Sequence, residues 1–402
     1  MEKKSKNLEM ELSQLLEEIK LDQKRLISEF LIPPFRPAFE VIDISSRGTL
    51  LLGPRGVGKT TFLLLLCQRD EGSIYLSLDN LRLANINLFY FCEYIYLSGY
   101  RTLLLDEVHF RQQWAIEVKS IYDSFPKLKI IISDSSTLIL KQGNADLSRR
   151  FPISKIPLLS FREFILFKRK ILLPKFDPIK GDSLPTEYVK FEKENPGQLN
   201  RLFSEFLDFG QRPIFLEGRY EDRIKNIIDK ILFTDIPYFL PQIEASHLSA
   251  LRGMIQYLAS SAVPTLNISS LTSQWEIGKH KVYELLYVIK EASVINIVYN
   301  NQSPKAFSKG DKILFTDCSF YHALGSNIGN RRESYFVSTL CMKGYEVYSS
   351  KNEEEFDFQV KKIRFEVGGI GKKKKKSDIV IQENLDIKSV DRWPLWIVGC
   401  LW

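Results

Sequence analysis

The stretch Gly53-Pro54-Arg55-Gly56-Val57-Gly58-Lys59-Thr60-Thr61, entered from the apolar run Thr49-Leu50-Leu51-Leu52, decides how this chain is read. Its spacing matches GxxxxGK[ST], in which the glycines let the backbone turn tightly and bring its N–H groups against phosphate oxygens. Residues 62–67, FLLLLC, continue as an apolar helix whose positive end points at the same anion. Lys59 is suited to reach the β- and γ-phosphates. The Thr60 hydroxyl is suited to Mg2+, which keeps most of its other ligands as water and phosphate oxygen. The expected ligand is ATP with Mg2+, held by residues 53–61.

Working outward, apolar strand-like runs at 49–52, 73–78, 102–105, 129–133 and 153–158 alternate with helical segments. Such alternation predicts an α/β fold, a parallel sheet with helices on both faces and its ligand at the C-terminal strand ends. The run LLLDEVH at 103–109 ends one of these strands in Asp106-Glu107. Asp106 is expected to join Thr60 at the metal, and Glu107 to polarise the attacking water, which favours hydrolysis over phosphotransfer. The next strand ends in Ser133-Asp134-Ser135-Ser136. Ser133 and Ser135 are candidates to touch the γ-phosphate or to orient water; capping of the following helix is the alternative role.

With 402 residues, 44% of them hydrophobic and 26% charged, the chain is an ordinary globular one that exceeds a single core. Most of its formal charge of +7 comes from one run, Lys372, Lys373, Lys374, Lys375 and Lys376, so the excess is local. The five cysteines have no CxxC spacing, which excludes a disulfide framework and structural zinc. A charged N-terminus and the lack of any stretch of about 18 apolar residues predict a cytoplasmic protein with no membrane contact.

Leu8, Leu12, Leu15 and Ile19 recur at helical spacing up to Pro33-Pro34, an amphipathic helix for packing or for a partner. A polar connection is expected over 171–197 and helix over 202–240. Helix-like 251–259, a short polar segment 269–275, helix-like 278–292 and β-rich 294–299 together suggest a winged helix-turn-helix. Lys279, His280 and Lys281 open its presumed recognition helix, and Val282, Leu285, Leu286 and Ile289 supply its core. The domains expected are an N-terminal helix (1–33), a P-loop domain (34–165), a connection and helical region (166–245), a winged helix (246–305) and a small α+β domain (306–402).

The order of the phosphate loop, LLLDEVH, Trp114, VKSIYDSFPKLKIIISDSS at 118–136 and LSRRFPISKIPLLSFREF at 147–164 resembles prokaryotic AAA+-type ATPases with a C-terminal domain related to restriction endonucleases. KILFTDCSFYHAL at 312–324, RRESYFVSTLCMKGYEVY at 331–348 and the ending WPLWIVGCLW extend the resemblance over nearly the whole chain. It implies an arginine finger that maps onto Arg150, with the adjacent Arg149 the other candidate and a structural ion pair the alternative role; a finger acting on a neighbour's nucleotide would require a homo-oligomer. It also implies an endonuclease-like domain whose carboxylates are Glu333, Asp357 and Glu366. The lysine expected two residues after Glu366 is replaced by Gly368. The lysine run that follows is preceded by the flexible segment Gly368-Gly369-Ile370-Gly371, so the fold is expected to serve binding or structure rather than cleavage.

The expected function is a Mg2+-dependent ATPase coupling turnover to interdomain movement. The alternatives are a nucleotide-switched DNA-binding protein, using the winged helix and Lys372 to Lys376, and an ATP-regulated nuclease.

Overall fold

The computed structural model describes residues 2–135, 145–261, 268–275, 277–300, 311–325, 328–350, 355–385 and 389–402. The chain divides into two compact units, Met1–Pro157 and Leu158–Trp402.

In the first unit, β1 (Gly48–Leu52), β2 (Ser73–Ser77), β3 (Thr102–Asp106), β4 (Lys129–Asp134) and β5 (Ile153–Lys155) form one sheet in the order β2-β3-β4-β1-β5. Every pairing is parallel. The middles of the strands are apolar because both faces are covered: Leu51, Ile74, Leu76, Leu103, Leu104, Leu105 and Ile130 are fully buried. Helices α2 (Lys59–Arg69), α3 (Leu88–Leu97) and α4 (Trp114–Ser124) connect the strands. β4 lies between β1 and β3, with Ser133 and Asp134 beside Leu51 and Leu52. With strands about 4.8 Å apart, the loop after β1 and the carboxylates after β3 face each other across the end of β4, about 10 Å of sheet.

The amphipathic helix is α1 (Glu2–Phe30), which buries Leu12, Leu15, Leu16 and Ile19, whereas Leu8 is exposed. It covers the edge of β2: Gln23 Oε1 accepts a 3.0 Å hydrogen bond from the Tyr75 N–H. An edge strand's outward N–H would otherwise be an open pairing site.

The second unit begins with the helix Phe161–Arg169, whose Ser160 and Glu163 form a reciprocal capping box. The expected connection at 171–197 contains a helix, Thr186–Glu194, that buries Tyr188 and Phe191. The helical stretch is interrupted, with Gln198–Glu205 and Tyr220–Lys230 as separate helices. Helices Ala245–Ser260, Ile268–Trp275 and Lys279–Glu291 follow, then β6 (Ile295–Val298) paired antiparallel with β7 (Lys312–Phe315). The segment read as polar, 269–275, is thus helical.

A second sheet has the order β12-β11-β10-β9-β8, comprising β8 (Val347–Ser349), β9 (Phe358–Val360), β10 (Ile363–Gly368), β11 (Ile379–Gln382) and β12 (Arg392–Pro394). It is parallel from β10 to β12 and antiparallel from β8 to β10, and the helix Ile328–Lys343 packs on it. The final residues are buried, and Ser160 Oγ donates to the Trp402 carbonyl at 3.1 Å, tying the unit's first helix to the chain end. Among the described residues no helix is long and apolar enough to cross a membrane.

Candidate functional site

The phosphate loop owes its shape to backbone that glycine tolerates. Gly56 and Gly58 have φ of 80° and 96°, and a Cβ on Gly53 would come within 2.6 Å of the Ile156 carbonyl oxygen. Val57 is fully buried beneath the loop. Arg36, which the sequence reading missed, braces the loop from outside the motif by donating to the Val57 carbonyl at 2.8 Å and the Pro157 carbonyl at 3.0 Å. Phe39 packs against Phe62 with ring centroids 5.2 Å apart and the rings tilted by 49°. The signal was available as a cationic and an aromatic residue just before β1, but nothing in their spacing names a target.

Lys59 is almost fully buried, and its ammonium donates to the Gly53 carbonyl at 2.8 Å. Burial pushes its pKa down, against the pull of Glu107, Asp106 and Asp134. Thr60 Oγ1 donates to Asp106 Oδ2 at 2.6 Å, so the two residues expected to share a metal meet at one point. Asp106 also accepts from the Tyr75 hydroxyl at 2.9 Å, from Ser133 Oγ, and from the Glu107 N–H at 3.1 Å. Ser133 therefore orients the aspartate. Ser135 Oγ is buried with no hydrogen-bond partner among the described residues, and Ser136 lies outside them.

Glu107 sits in the left-handed region at φ 50°, a sparsely used conformation that turns its side chain off the strand axis. Burial raises its pKa, with Lys59 and Arg55 opposing; the Arg55 guanidinium lies 3.6 Å away. His109 Nδ1 is 2.7 Å from Asp134 Oδ2 and 3.4 Å from Glu107 Oε2. Glu107, His109 and Asp134 thus form one polar cluster, with an oxygen or nitrogen of each within 4.8 Å of the others. Arg150, at the end of α5 (Ala145–Arg150), makes a two-pronged contact with Asp123 at 3.0 and 3.2 Å, and Arg149 is exposed.

The second unit holds a separate charged cluster. Asp357, next to β9, accepts from the Val367 N–H at 2.8 Å; Glu366 on β10 is fully buried; Glu333 comes from the helix Ile328–Lys343. Lys312 reaches Glu333 at 2.8 Å. Despite Gly368, a lysine does enter: Lys372 Nζ lies 2.9 Å from Asp357 Oδ2 and 3.1 Å from Glu366 Oε2. Lys375 is 3.5 Å from Glu366 and 3.9 Å from Asp357. The flexible approach that argued against a compensating lysine instead folds the chain back through Gly371, at φ 82°. Burial raises the pKa of both Glu333 and Glu366, and Asp357 adds to each shift. Of the remaining lysines, Lys374 meets Asp391 at 3.4 Å and Lys376 meets Glu355 at 3.2 Å, so much of the basic run is neutralised locally. Lys279 and His280 are exposed, and Lys281 pairs with Glu284 at 2.8 Å.

Residues 45–165 match the family model described as AAA domain. The chain is 25% identical over 373 residues to the uncharacterized protein MJ1637 of Methanocaldococcus jannaschii, covering 84% of this chain and 78% of that protein. Among solved structures, AMPPCP-bound DnaA from Aquifex aeolicus is similar at a TM-score of 0.26 and 18% identity, over 67% of this chain and 86% of that one. Drosophila ORC bound to AT-rich DNA and Cdc6 is similar at a TM-score of 0.20 and 6% identity, over 76% and 91%. Both TM-scores are too low to imply a shared overall arrangement.

Proposed function

We propose that this protein is a Mg2+-dependent ATPase that couples nucleotide turnover to movement between its domains. The observation that carries the proposal is the meeting of Thr60 Oγ1 and Asp106 Oδ2 at 2.6 Å, with Lys59 buried in the loop and Glu107 on the next residue. Thr60 and Asp106 would hold Mg2+, which supplies positive charge against the phosphates. The loop N–H groups and Lys59 bind and orient the triphosphate. Glu107, kept largely from bulk water and set against Arg55 and His109, is the residue to accept a proton from the attacking water. Arg150 is proposed to act as a finger on a neighbouring copy's nucleotide, exchanging Asp123 for the γ-phosphate. The test is Mg2+-dependent ATP turnover and nucleotide binding of wild type, Lys59→Ala and Glu107→Gln. Loss of turnover in both variants, with binding kept in Glu107→Gln, supports the proposal, and unchanged turnover in Lys59→Ala rejects it.

A second reading, an ATP-regulated nuclease, is supported by the placement of a lysine, Lys372, between Asp357 and Glu366. Glu366 offers two buried oxygens, which lie 3.1 Å from Lys372 and 3.5 Å from Lys375 without an aligned hydrogen bond among the described residues, and carboxylate oxygens are what a divalent cation takes. DNA is proposed as the partner, reached through the exposed Lys279 and His280 and the lysine run. Cation-dependent DNA cleavage that is lost in Asp357→Ala tests this reading.

A further inference from the structure

The lysine in the second charged cluster arrives by an unusual route. Gly368 ends β10, the chain turns through Gly369, Ile370 and Gly371, and the Lys372 N–H returns to the Gly369 carbonyl at 3.2 Å. The Lys372 side chain then lies back over Gly368. A Cβ built on Gly368 would stand 2.6 Å from Lys372 Cδ, 2.8 Å from Cγ and 3.0 Å from Cβ. Gly368 is therefore the vacancy that admits this lysine, and any side chain there competes with it for space.

The ammonium nitrogen sits at a single point 2.9 Å from Asp357 Oδ2 and 3.1 Å from Glu366 Oε2. A cation bound by both carboxylates would need that same point. Mg2+ and Ca2+ take carboxylate oxygens at about 2.0–2.6 Å, so each carboxylate would close by about 0.3–1.1 Å once the ammonium had left. An ammonium and a divalent cation cannot share the point, because like charges so close, with little water between them, repel strongly. Lys372 hangs on a glycine-bearing turn and is a quarter exposed, so it has somewhere to go.

We propose that Lys372 is a tethered counter-cation which closes the Asp357–Glu366 site, and that a divalent cation binds there by displacing it. This rests on the second reading above, in that the cluster must be able to hold a divalent cation. Lys375, 3.5 Å from Glu366, gives weaker cover, and Lys312 remains with Glu333. The site is charge-balanced when closed, and opening it exchanges one ammonium for one metal ion. Any partner that draws Lys372 away, such as the phosphate of a nucleic-acid backbone, would raise the cation affinity.

The experiment is calorimetric titration of the full chain with Mn2+ alone, without nucleotide, together with thermal unfolding with and without Mn2+. The proteins are wild type, Lys372→Met and Gly368→Ala, the first variant in addition with Asp357→Asn. Gly368→Ala keeps every charge and only evicts the side chain, so it stands if Lys372→Met folds poorly. The expected result is Mn2+ binding at least about tenfold tighter in Lys372→Met and Gly368→Ala than in wild type, with the gain abolished by Asp357→Asn. Lys372→Met should also unfold at lower temperature without Mn2+ and recover with it. Mn2+ binding that depends on Asp357 but has the same affinity in all three proteins would overturn the displacement while leaving the cation site standing. No binding that depends on Asp357 in any of them would overturn both.

Discussion

Replacing Arg36 by methionine tests whether the phosphate loop is held in shape from outside its own motif. Arg36 is 97% buried, and its guanidinium donates to two carbonyls, that of Val57 within the loop and that of Pro157 beyond β5. Hydrogen bonds from a charged donor contribute about 1.5–3 kcal/mol each, and losing both leaves two carbonyls short of a partner. Methionine keeps much of the aliphatic volume, so the loss is mainly polar. We expect the variant to be destabilised by about 3 kcal/mol, which for a unit of this size lowers the unfolding midpoint by about 6–12 °C. Because the Val57 carbonyl fixes the loop between Gly56 and Gly58, nucleotide affinity should fall at least about tenfold, or about 1.4 kcal/mol. Thermal unfolding of the full chain and fluorescent-nucleotide titration read the two effects, with Arg36→Lys expected in between because it retains charge and fewer donors. An Arg36→Met protein with wild-type midpoint and wild-type nucleotide affinity would refute the bracing role.

Gln23→Leu removes the acceptor for the Tyr75 N–H on the edge strand, and native-state hydrogen exchange at that amide should accelerate at least about tenfold while β3 amides stay protected. Tyr75→Phe deletes one of the four donors to Asp106; it should weaken Mg2+-dependent nucleotide binding by about 1 kcal/mol, read as a shift in the Mg2+ titration midpoint. Arg150→Ala breaks a partly exposed pair with Asp123, so stability should change by less than about 1 kcal/mol while turnover falls at least about tenfold; a fall in stability without one in turnover would mark the pair as structural. Of the five thiols Cys341 is the exposed one and the other four are buried, so it should be the first to react with a thiol reagent in the folded protein, and slowly at neutral pH, because its surroundings push its own pKa up to about 11.

What was legible in the sequence is what chemistry forces into short stretches. The glycines of the loop, Lys59, Thr60 and the Asp106-Glu107 strand end stand out because they fall into fixed-spacing patterns, and the fold then brings Thr60 and Asp106 into contact. The strands were legible for a related reason: burial on both faces leaves only apolar side chains. Tyr75 and Arg36 were not, since each acts through a neighbour fixed by strand order. Tyr75 reaches Asp106 because β2 and β3 pair in parallel with Ser77 beside Asp106, a register that no local pattern encodes. The His109–Asp134 contact likewise needs β4 beside β3, which strand-like runs alone do not order. Lys372 is the converse case. Spacing along the chain said that the lysine was missing, whereas the turn at Gly371 brings one into the same cluster from six residues after Glu366.

The central claim, that Glu107 and the loop form one hydrolysis site, is tested most directly by ATP turnover of Glu107→Gln in saturating ATP and Mg2+, with ATP binding measured on the same preparation. We predict wild-type affinity and turnover at least about a hundredfold slower, the loss of a positioned general base. Turnover equal to wild type in a variant that binds ATP normally would contradict it.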